Sequence, residues 1–556
     1  MRKYVKWGVG IIVTPFILFA ILAILFYFPP FQKWAVKQVT AYASEKTKTE
    51  IIISHVNLEF PLNLGIDGVK VLQQNDSMPQ VKDTVADIKK VVANVRLIPL
   101  FSKKIDIDEL SFDCMKVNTT NFIHEARVKG TIARMDLVAH CIDLGAEHVN
   151  IDKANLKNAV LDVALSDTVP KDTTKRTNFW TINVHKLNVE KTDLTLHMPG
   201  DTLQVQAYLG KSIAEGGYFD LYRGAYNVKR FQWNDGRLNY DNNFKIHSKG
   251  FDYNHVSLSN IAIGIDDLSY LAPNLIMKLR ECSFKEKSGI AIDALLGKIA
   301  LDSNRLLLES LYFKTPQSHL RARVSLDLKT FVKDNPGKFK VSLKGSVGKS
   351  DLMRFMGNMP STFRKQWPNH PLTVSGTAIG NMKSVSFSRL SVKLPTAFNL
   401  TAKGFIANID NIKKLRGSIN IKAHAYKLGF VMSMLPKNIT RKIRIPSGIF
   451  VDGAFMFNGN RYATNFISQE GKGHVRVVAD FNADRMAYNA IINASNLQLQ
   501  HFVSNYGLHS FTGFLAVKGR GIDFTSSRTV LISRLRINKF NYGGYNLDRV
   551  NANVKL

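Results

Sequence analysis

Cysteine is almost absent from this sequence of 556 residues, which contains only Cys114, Cys141 and Cys282. So few cysteines exclude a disulfide framework, and an odd number leaves at least one of them unpaired. A Cys114–Cys141 bridge is one alternative. We favour the other, in which the three cysteines are small buried apolar side chains. The fold must then depend on apolar burial and backbone hydrogen bonds.

Motifs for catalysis or metal binding are also missing. The fourteen histidines are scattered, and no HExxH, paired CxxC or GxSxG pattern stands out. The nearest candidate is Gly-Lys-Ser at 348–350, but Leu343 stands where a phosphate-binding loop needs its first glycine. We predict a turn there, with Ser350 as the N-cap of a helix. The sequence predicts no catalytic residue, no metal site and no cofactor, so the chain is not expected to be an enzyme.

Acidic residues are scarce, with 44 Asp and Glu against 75 Lys and Arg, a formal net charge of +31. This excess favours an anionic partner, which charge alone leaves open as nucleic acid, lipid headgroups or an acidic envelope polymer. Basic tracts such as 439–446 lack the interleaved aromatic residues of a base-stacking surface. Nucleic acid is therefore not an expected partner.

Long uncharged runs are also rare, and one stands out, from Trp7 to Phe28. Its 22 residues suffice to span a bilayer as a helix, and Arg2, Lys3 and Lys6 precede it. The positive flank predicts a cytoplasmic amino end, with the rest of the chain across the membrane. A cleaved signal peptide is the alternative, with 41–43 as a cleavage site, but the run is too long for a usual signal.

A short amphipathic helix is predicted directly after this anchor. Helical spacing puts Phe31, Trp34, Ala35, Val39 and Tyr42 on one face. Three roles are open for this helix: lying on the lipid surface, plugging the end of the following domain, or packing on its own core.

From Ile51 onward the apolar period changes from 3.6 to 2, which predicts a mainly β protein. Many strands share a template with apolar residues at positions i, i+2, i+5 and i+7. A step of two residues, at i+3 and i+4, separates the two alternating pairs. The step at His185–Lys186 suggests a β-bulge that returns the apolar side chains to the same face. The copies are 51/53/56/58, 105/107/110/112, 149/151/154/156, 182/184/187/189, 226/228/231/233, 306/308/311/313, 385/387/390/392 and 530/532/535/537.

A longer repeat occupies the C-terminal half. Residues 350–380 and 429–459 share the order of an apolar helix-like run, a basic stretch, a proline and a glycine-containing strand, and 501–519 is a reduced version. Alternation continues to Leu556, so we expect the N-terminal portion of a longer protein. The predicted regions are an anchor (1–30), a juxtamembrane helix (31–50), a first β-groove region (51–349) and a second one (350–556).

This order of elements resembles the TamB-like branch of the AsmA-like envelope proteins. The resemblance is carried by the anchor with FPPFQKWAVKQVTAYASEKT, by IIISHVNLEFPLNLGIDGVKV, and by LYFKTPQSHLRARVSL (311–326) and LSVKLPTAFNLTAKG (390–404). It covers essentially the whole chain, although the signature C-terminal domain of such proteins is absent.

The resemblance implies a single-pass protein of the bacterial inner membrane with its bulk in the periplasm. Its fold would be an elongated, curved antiparallel β-groove, or half-pipe, with a few short helices. Phospholipid transport and outer-membrane biogenesis are the implied functions. The implied partners are phospholipid, the inner membrane and an outer-membrane β-barrel assembly protein.

Two-faced strands must bury their apolar side, and lipid acyl chains in a groove can cover it. An alternative is a structural or assembly scaffold whose sheets close on themselves and whose basic surface binds proteins. The candidate groove residues are Val184, Leu187, Val189, Leu194, Leu196, Ile107, Leu110, Phe112, Ile151, Leu156, Val228 and Phe231.

Overall fold

The computed structural model describes most of the chain after residue 28. The described ranges are 29–47, 49–59, 63–74, 80–96, 106–119, 126–143, 147–165, 180–198, 203–220, 222–242, 252, 254–330, 332, 334–355, 359–408, 411–435, 440–441, 443–503, 506–521 and 527–556. The predicted membrane anchor lies outside these ranges, apart from Pro29 and Pro30. Within them, no helix combines the length and the apolarity that crossing a bilayer requires.

The juxtamembrane helix is present as α1 (Pro29–Thr47). Its end is fixed to the first strand through Ser44, whose carbonyl accepts from the Thr49 N–H and whose hydroxyl accepts from the Ile51 N–H, both at 3.2 Å. Val36 is buried, whereas Trp34 of the predicted apolar face is half exposed. The other four predicted face residues, 31, 35, 39 and 42, have side chains outside the described part of the chain.

The chain divides into two compact units. The N-terminal unit comprises Met1–Ile246 and Asp252–Gly289, and the C-terminal unit comprises His247–Phe251 and Ile290–Leu556. This division lies nearer to the amino end than the boundary at 349/350 that the motifs indicate. Both units are open, curved sheets, which confirms the prediction of a mainly β protein with few, short helices.

In the N-terminal unit each strand pairs with the next one in the chain. All described pairs are antiparallel except β6–β7, which is parallel, so the expectation of a purely antiparallel sheet is wrong here. The strands are β1 (Glu50–Glu59), β2 (Asn63–Gln74), β3 (Lys82–Arg96), β4 (Asp106–Asn118), β5 (Ala126–Asp143), β6 (His148–Leu165), β7 (Thr181–His197), β8 (Leu203–Asp220), β9 (Ala225–Asn242), β10 (His255–Leu271) and β11 (Asn274–Glu286).

The parallel pair joins two copies of the strand template that start 33 residues apart. In-register pairing places Asn183 opposite Asn150 and Asn188 opposite Asn155. Each later asparagine donates its amide N–H to the earlier amide oxygen, at 2.7 and 2.8 Å respectively. In-register parallel pairing aligns both asparagines of one copy with their counterparts in the other, so the two amide hydrogen bonds support the parallel arrangement.

In the C-terminal unit the strands from β13 onward also pair in chain order, and every described pair is antiparallel. The strands are β12 (Ala291–Ile292), β13 (Ala294–Leu301), β14 (Arg305–Lys314), β15 (His319–Asp327), β16 (Phe339–Val347), β17 (Leu372–Asn381), β18 (Ser384–Leu394), β19 (Phe398–Ala407), β20 (Arg416–Ala425), β21 (Ile449–Asn458), β22 (Arg461–Glu470), β23 (Gly473–Asn482), β24 (Ala487–Gln498), β25 (Leu508–Arg520), β26 (Val530–Tyr542) and β27 (Tyr545–Lys555).

The helices that the structure describes in this unit lie at one end of its strands. They are α2 (Lys349–Phe355), α3 (Ser361–Gln366) and α4 (Gly429–Met432), and a 3₁₀ turn at Leu499–His501 lies at the same end. The predicted order of helix and then returning strand is therefore present at 350–380, at 429–459 and, in reduced form, at 501–519. A second 3₁₀ turn, Ile412–Lys414, lies at the opposite end.

The start of α2 differs from the prediction. The helix begins at Lys349, so Ser350 lies inside it and is not the N-cap; its hydroxyl instead contacts the side chain of Gln317. The Lys349 ammonium donates to the Trp367 carbonyl at 2.6 Å and to Asn369 Oδ1 at 3.0 Å. Gly-Lys-Ser therefore serves to attach a helix to the sheet.

Asp351 holds the same helix to the β14–β15 turn. Its buried carboxylate accepts from the hydroxyls of Thr315 and Ser318, each at 2.5 Å. Ser318 Oγ in turn accepts from the Gly348 N–H at 2.9 Å. One carboxylate thus satisfies several buried donors, directly or through a neighbour, where α2 meets the sheet.

We expect Asp351→Asn to loosen α2 locally. An amide cannot accept both hydroxyl protons as well as a carboxylate does, and an unsatisfied buried hydroxyl costs about 1–3 kcal/mol. Hydrogen exchange of 349–355 should accelerate by the corresponding factor, while Asp480→Asn, at an exposed carboxylate of β23, should leave it unchanged. Equal exchange rates in the wild type and the Asp351 variant would show that the carboxylate does not fix the helix.

Candidate functional site

The feature that extends across most of the N-terminal unit is a continuous apolar face. Cross-strand pairing from β4 to β10 aligns apolar residues into rows, and two rows contain six of the twelve predicted groove residues. One row is Leu110–Leu137–Ala154–Leu187–Ala214–Phe231–Ile265. The other is Phe112–Met135–Leu156–Val189–Ser212–Trp233–Ile263, which β11 extends to Cys282.

Five more predicted groove residues lie in three shorter rows on the same strands. These rows are Ile151–Val184–Gly217–Val228–Leu268, Leu161–Leu194–Ala207–Leu238–Leu258 and Val163–Leu196–Val205–Tyr240–Val256. Ile107 pairs with Val95 in β3, and its side chain lies outside the described part of the chain. The structure thus brings eleven of the twelve candidates into five neighbouring rows.

The step in the strand template has a different origin from the predicted bulge. In β7, Val184 pairs with Gly217 and Lys186 with Glu215, so one residue is skipped in each strand, His185 and Gly216. Gly216 has a φ of +64°. Because both strands take the same step, the register does not shift, and the prediction of one extra residue at 185–186 is wrong.

Two later copies of the template contain true β-bulges, whereas the copy in β26 contains no step at all. Register shifts occur between Leu308 and Leu311 and between Phe387 and Leu390, as the template predicts. In β26, by contrast, plain alternation continues, and Val530 and Ile532 are exposed on the face opposite to Ile537. The template matched 530–537 by chance, because β26 has apolar residues on both faces: Val530 and Ile532 on one, and Leu535 and Ile537 on the other.

The opposite face of the N-terminal sheet is polar. Lys157–Glu190 and Lys186–Glu215 form ion pairs at 3.8 and 3.5 Å, and the asparagine ladder lies on this side. Exposed pairs of this kind contribute little stability. Their effect is to keep one side of the sheet wet, so that only the apolar face remains to be covered.

Burial of the apolar face varies along the unit. A core of six residues from β2 to β6 is buried by neighbouring strands; it consists of Val69, Ile88, Val91, Met115, Ile132 and Ala159. Beyond it, the predicted groove residues of β7, from Val184 to Leu196, are only half-buried. The described strands therefore cover part of the apolar face and leave the remainder accessible.

A second apolar face, which the sequence-based candidates miss, crosses the C-terminal unit. One row takes one residue from each strand from β13 to β27, and every member except Ser468 is apolar or glycine. The row is Leu295–Phe313–Leu320–Gly345–Val374–Val392–Leu400–Ala423–Val451–Ser468–Val475–Ala494–Gly513–Ile537–Val550. Alternation in strands such as HVRVVADFNA is the signal that could have found it.

An apolar pocket of about 630 Å³ lies on this face between β21 and β26. The rings of Phe455 and Phe466 stack in its wall with centroids 5.9 Å apart. Its lining is apolar apart from Ser468, and Val477 belongs to it, whereas the next residue, Val478, is 40% exposed on the opposite face. A volume of this size falls in the range of ligand pockets.

An aromatic cluster covers the end of the sheet beneath the helices. Phe363, Trp367 and Phe430 pack with centroid distances of 4.9 to 5.6 Å, over the fully buried Leu394 and Ala397 of the β18–β19 turn. The members of this cluster bury one another and need no further partner. The uncovered apolar face therefore does not extend beneath the helices.

The thiols fit the predicted role only in part. Cys282 is buried in the second apolar row, and this burial raises the pKa of its thiol to about 11. Cys114 is exposed and free, so the expectation of burial is wrong there and a Cys114–Cys141 bridge is not formed. Among the described residues no cluster of three or more His, Cys, Asp or Glu side chains could hold a metal ion.

No protein-family model matches the chain, and no curated protein matches it.

Proposed function

We propose that the chain carries phospholipid between membranes, with acyl chains lying on the apolar faces of its two sheets and headgroups at their wet margins. Anchored in the bacterial inner membrane by its first thirty residues, it acts in the periplasm in outer-membrane biogenesis, as a TamB-like member of the AsmA-like proteins would. The observation that carries the proposal is the row of the C-terminal unit, which is apolar or glycine apart from Ser468 and of whose fifteen members the described strands leave ten half-buried.

The energetics favour a lipid as the covering material. Each methylene removed from water contributes about 0.8 kcal/mol, so a long acyl chain gains several kcal/mol even when one side of it stays wet. An uncharged row offers no polar group that would hold a lipid at one position. An acyl chain can therefore slide along the row and is not bound tightly at one point. The pocket next to Phe455 and Phe466 is the best-formed seat for such a chain.

An assembly scaffold for outer-membrane proteins is the second candidate function. The observation in its favour is the buried core of β2–β6, including Ile88 and Ile132, which needs no lipid to cover it. A scaffold would bind proteins through its basic surface and leave lipid out of the apolar rows.

Photo-crosslinking separates the two functions. With p-benzoylphenylalanine in place of Val477, we expect a phospholipid adduct of the full chain in cells, because this side chain lines the apolar pocket. The matched control is the same replacement at Val478, which faces water on the other side of β23. Adducts at both positions alike, or a protein adduct at Val477, would contradict lipid binding on this face.

A further inference from the structure

The end of the C-terminal sheet that carries the helices also carries an unusual surface, which we call the rim. The rim consists of four exposed apolar residues, Met434, Leu435, Ile443 and Ile445, and of the exposed Arg441 and Arg444. The apolar side chains are 39% to 51% exposed, although all four belong to one connection between β20 and β21. Exposed apolar side chains beside basic ones are typical of surfaces that lie on anionic membranes.

Tyrosines extend the rim on neighbouring turns. Tyr506, Tyr542 and Tyr545 are half exposed or more, and the Gly543 N–H donates to the Gly507 carbonyl at 2.8 Å, so their two turns are fixed together. Gly543 and Gly544, both with positive φ, make the tight β26–β27 turn that presents Tyr542 and Tyr545. Tyrosine is enriched where proteins meet the headgroup layer of a bilayer.

The charge of this end agrees with an anionic bilayer. The described connections there contain the basic residues Lys349, Arg354, Arg364, Lys365, Lys427, Arg441, Arg444 and Lys472. Of the two aspartates in these connections, Asp351 is buried and hydrogen-bonded, whereas Asp293, between β12 and β13, is exposed. At the other end of the strands, Leu328 and Val332 are equally exposed. The described connections of that end are also basic, with Lys329, Lys338, Lys383, Lys413, Lys414, Arg485 and Arg528, but they contain three aspartates, Asp302, Asp334 and Asp484.

The rim is joined to the apolar pocket. Ile443 forms a β-bridge with Val503, and the Arg444 N–H donates to the Phe502 carbonyl at 2.8 Å. Phe502 and Leu499 line the pocket, and so does Ile449 at the start of β21. A bilayer touching the rim would therefore lie close to residues that line the pocket.

We propose that the rim docks on the surface of an anionic lipid bilayer, with its apolar side chains in the headgroup layer and its arginines on lipid phosphates. Docking goes beyond the proposed function, because a scaffold that carries no lipid could dock in the same way. If both proposals hold, the rim is where lipid enters or leaves the pocket.

Fluorescence quenching by brominated lipid tests the docking. The full chain is reconstituted in vesicles of brominated phosphatidylcholine with a quarter phosphatidylglycerol, and the signal of the unsubstituted protein is subtracted. We expect Ile443→Trp to lose roughly half of its added fluorescence, because interfacial side chains reach the acyl boundary. The matched control, Leu328→Trp at the opposite end, should keep its fluorescence.

The charge contribution is tested in the same vesicles. Arg441→Glu with Arg444→Glu, in the Ile443→Trp background, should weaken docking on the order of tenfold, as should replacing phosphatidylglycerol by phosphatidylcholine. Circular dichroism checks that each variant is folded. Equal quenching at positions 443 and 328, or capture of an acidic protein without quenching, would overturn the proposal. Docking without a lipid adduct at Val477 would support the rim and refute lipid carriage.

Discussion

Leu196→Asp is expected to stop phospholipid transfer by the chain while its sheet stays folded. Leu196 lies in the row Val163–Leu196–Val205–Tyr240–Val256 and is only half-buried, so water can solvate a carboxylate there in the absence of lipid. An acyl chain that reaches this point would have to strip the carboxylate of water, which costs several kcal/mol. Transfer should fall by about tenfold or more.

The measurement is transfer of a fluorescent phospholipid between donor and acceptor vesicles in the presence of the full chain. The control is Gln206→Asp, on the exposed opposite face, where the paired residues Thr195 and Asn239 carry no charge. This variant should transfer lipid at the wild-type rate. Normal transfer by the Leu196 variant would mean that lipid does not cross this part of the N-terminal unit.

The apolar faces could be predicted from the sequence because strand periodicity is local. In a strand, alternate side chains point to the same side, so the residue pattern assigns each to a face before any pairing is known. Leu187 and Phe231 were assigned in this way, and they share one row. The parallel pair was not predicted, although the copies at 149 and 182 start 33 residues apart and Asn150 and Asn155 recur as Asn183 and Asn188.

The sequence of one strand could not show how many residues its partner strand uses to cross the same step. A step of three residues reads identically as a bulge, where the partner takes two, or as a matched step, where the partner also takes three. Leu308–Leu311 is the first kind and Val184–Leu187 is the second. The choice depends on backbone pairing between residues distant in sequence.

The surrounding fold likewise determined the role of Ser350 and the exposure of Cys114. Ser350 had the right type and place for an N-cap, yet Gln317 holds its hydroxyl, and Ser318 accepts the Gly348 N–H. Cys114 is exposed because its strand takes a φ of +51° there, within a matched step. Such contacts override local preference whenever they satisfy more buried groups than the local cap would.

Gly453→Val is expected to open the pocket wall of the C-terminal unit. A Cβ at position 453 would lie 2.4 Å from both the carbonyl oxygen of Asn465 and the Cα of Phe466 on β22. These are backbone atoms, so the two strands would have to move apart, and overpacking of this kind costs about 1–3 kcal/mol or more. The stacked rings of Phe455 and Phe466 would separate with them.

Hydrogen exchange of β21 and β22 measures this opening directly, because a chain of two units does not unfold as a single transition. Exchange in the Gly453 variant should be accelerated about tenfold or more, and the lipid adduct at Val477 should decrease with it. The control is Ala454→Val, one residue further on the opposite face between Asn420 and Asn465, where extra methyl groups meet no core. Wild-type exchange rates in the Gly453 variant would mean that β21 and β22 do not need this close approach. If exchange is faster but the lipid adduct at Val477 persists, the acyl chain lies away from the β21–β22 wall.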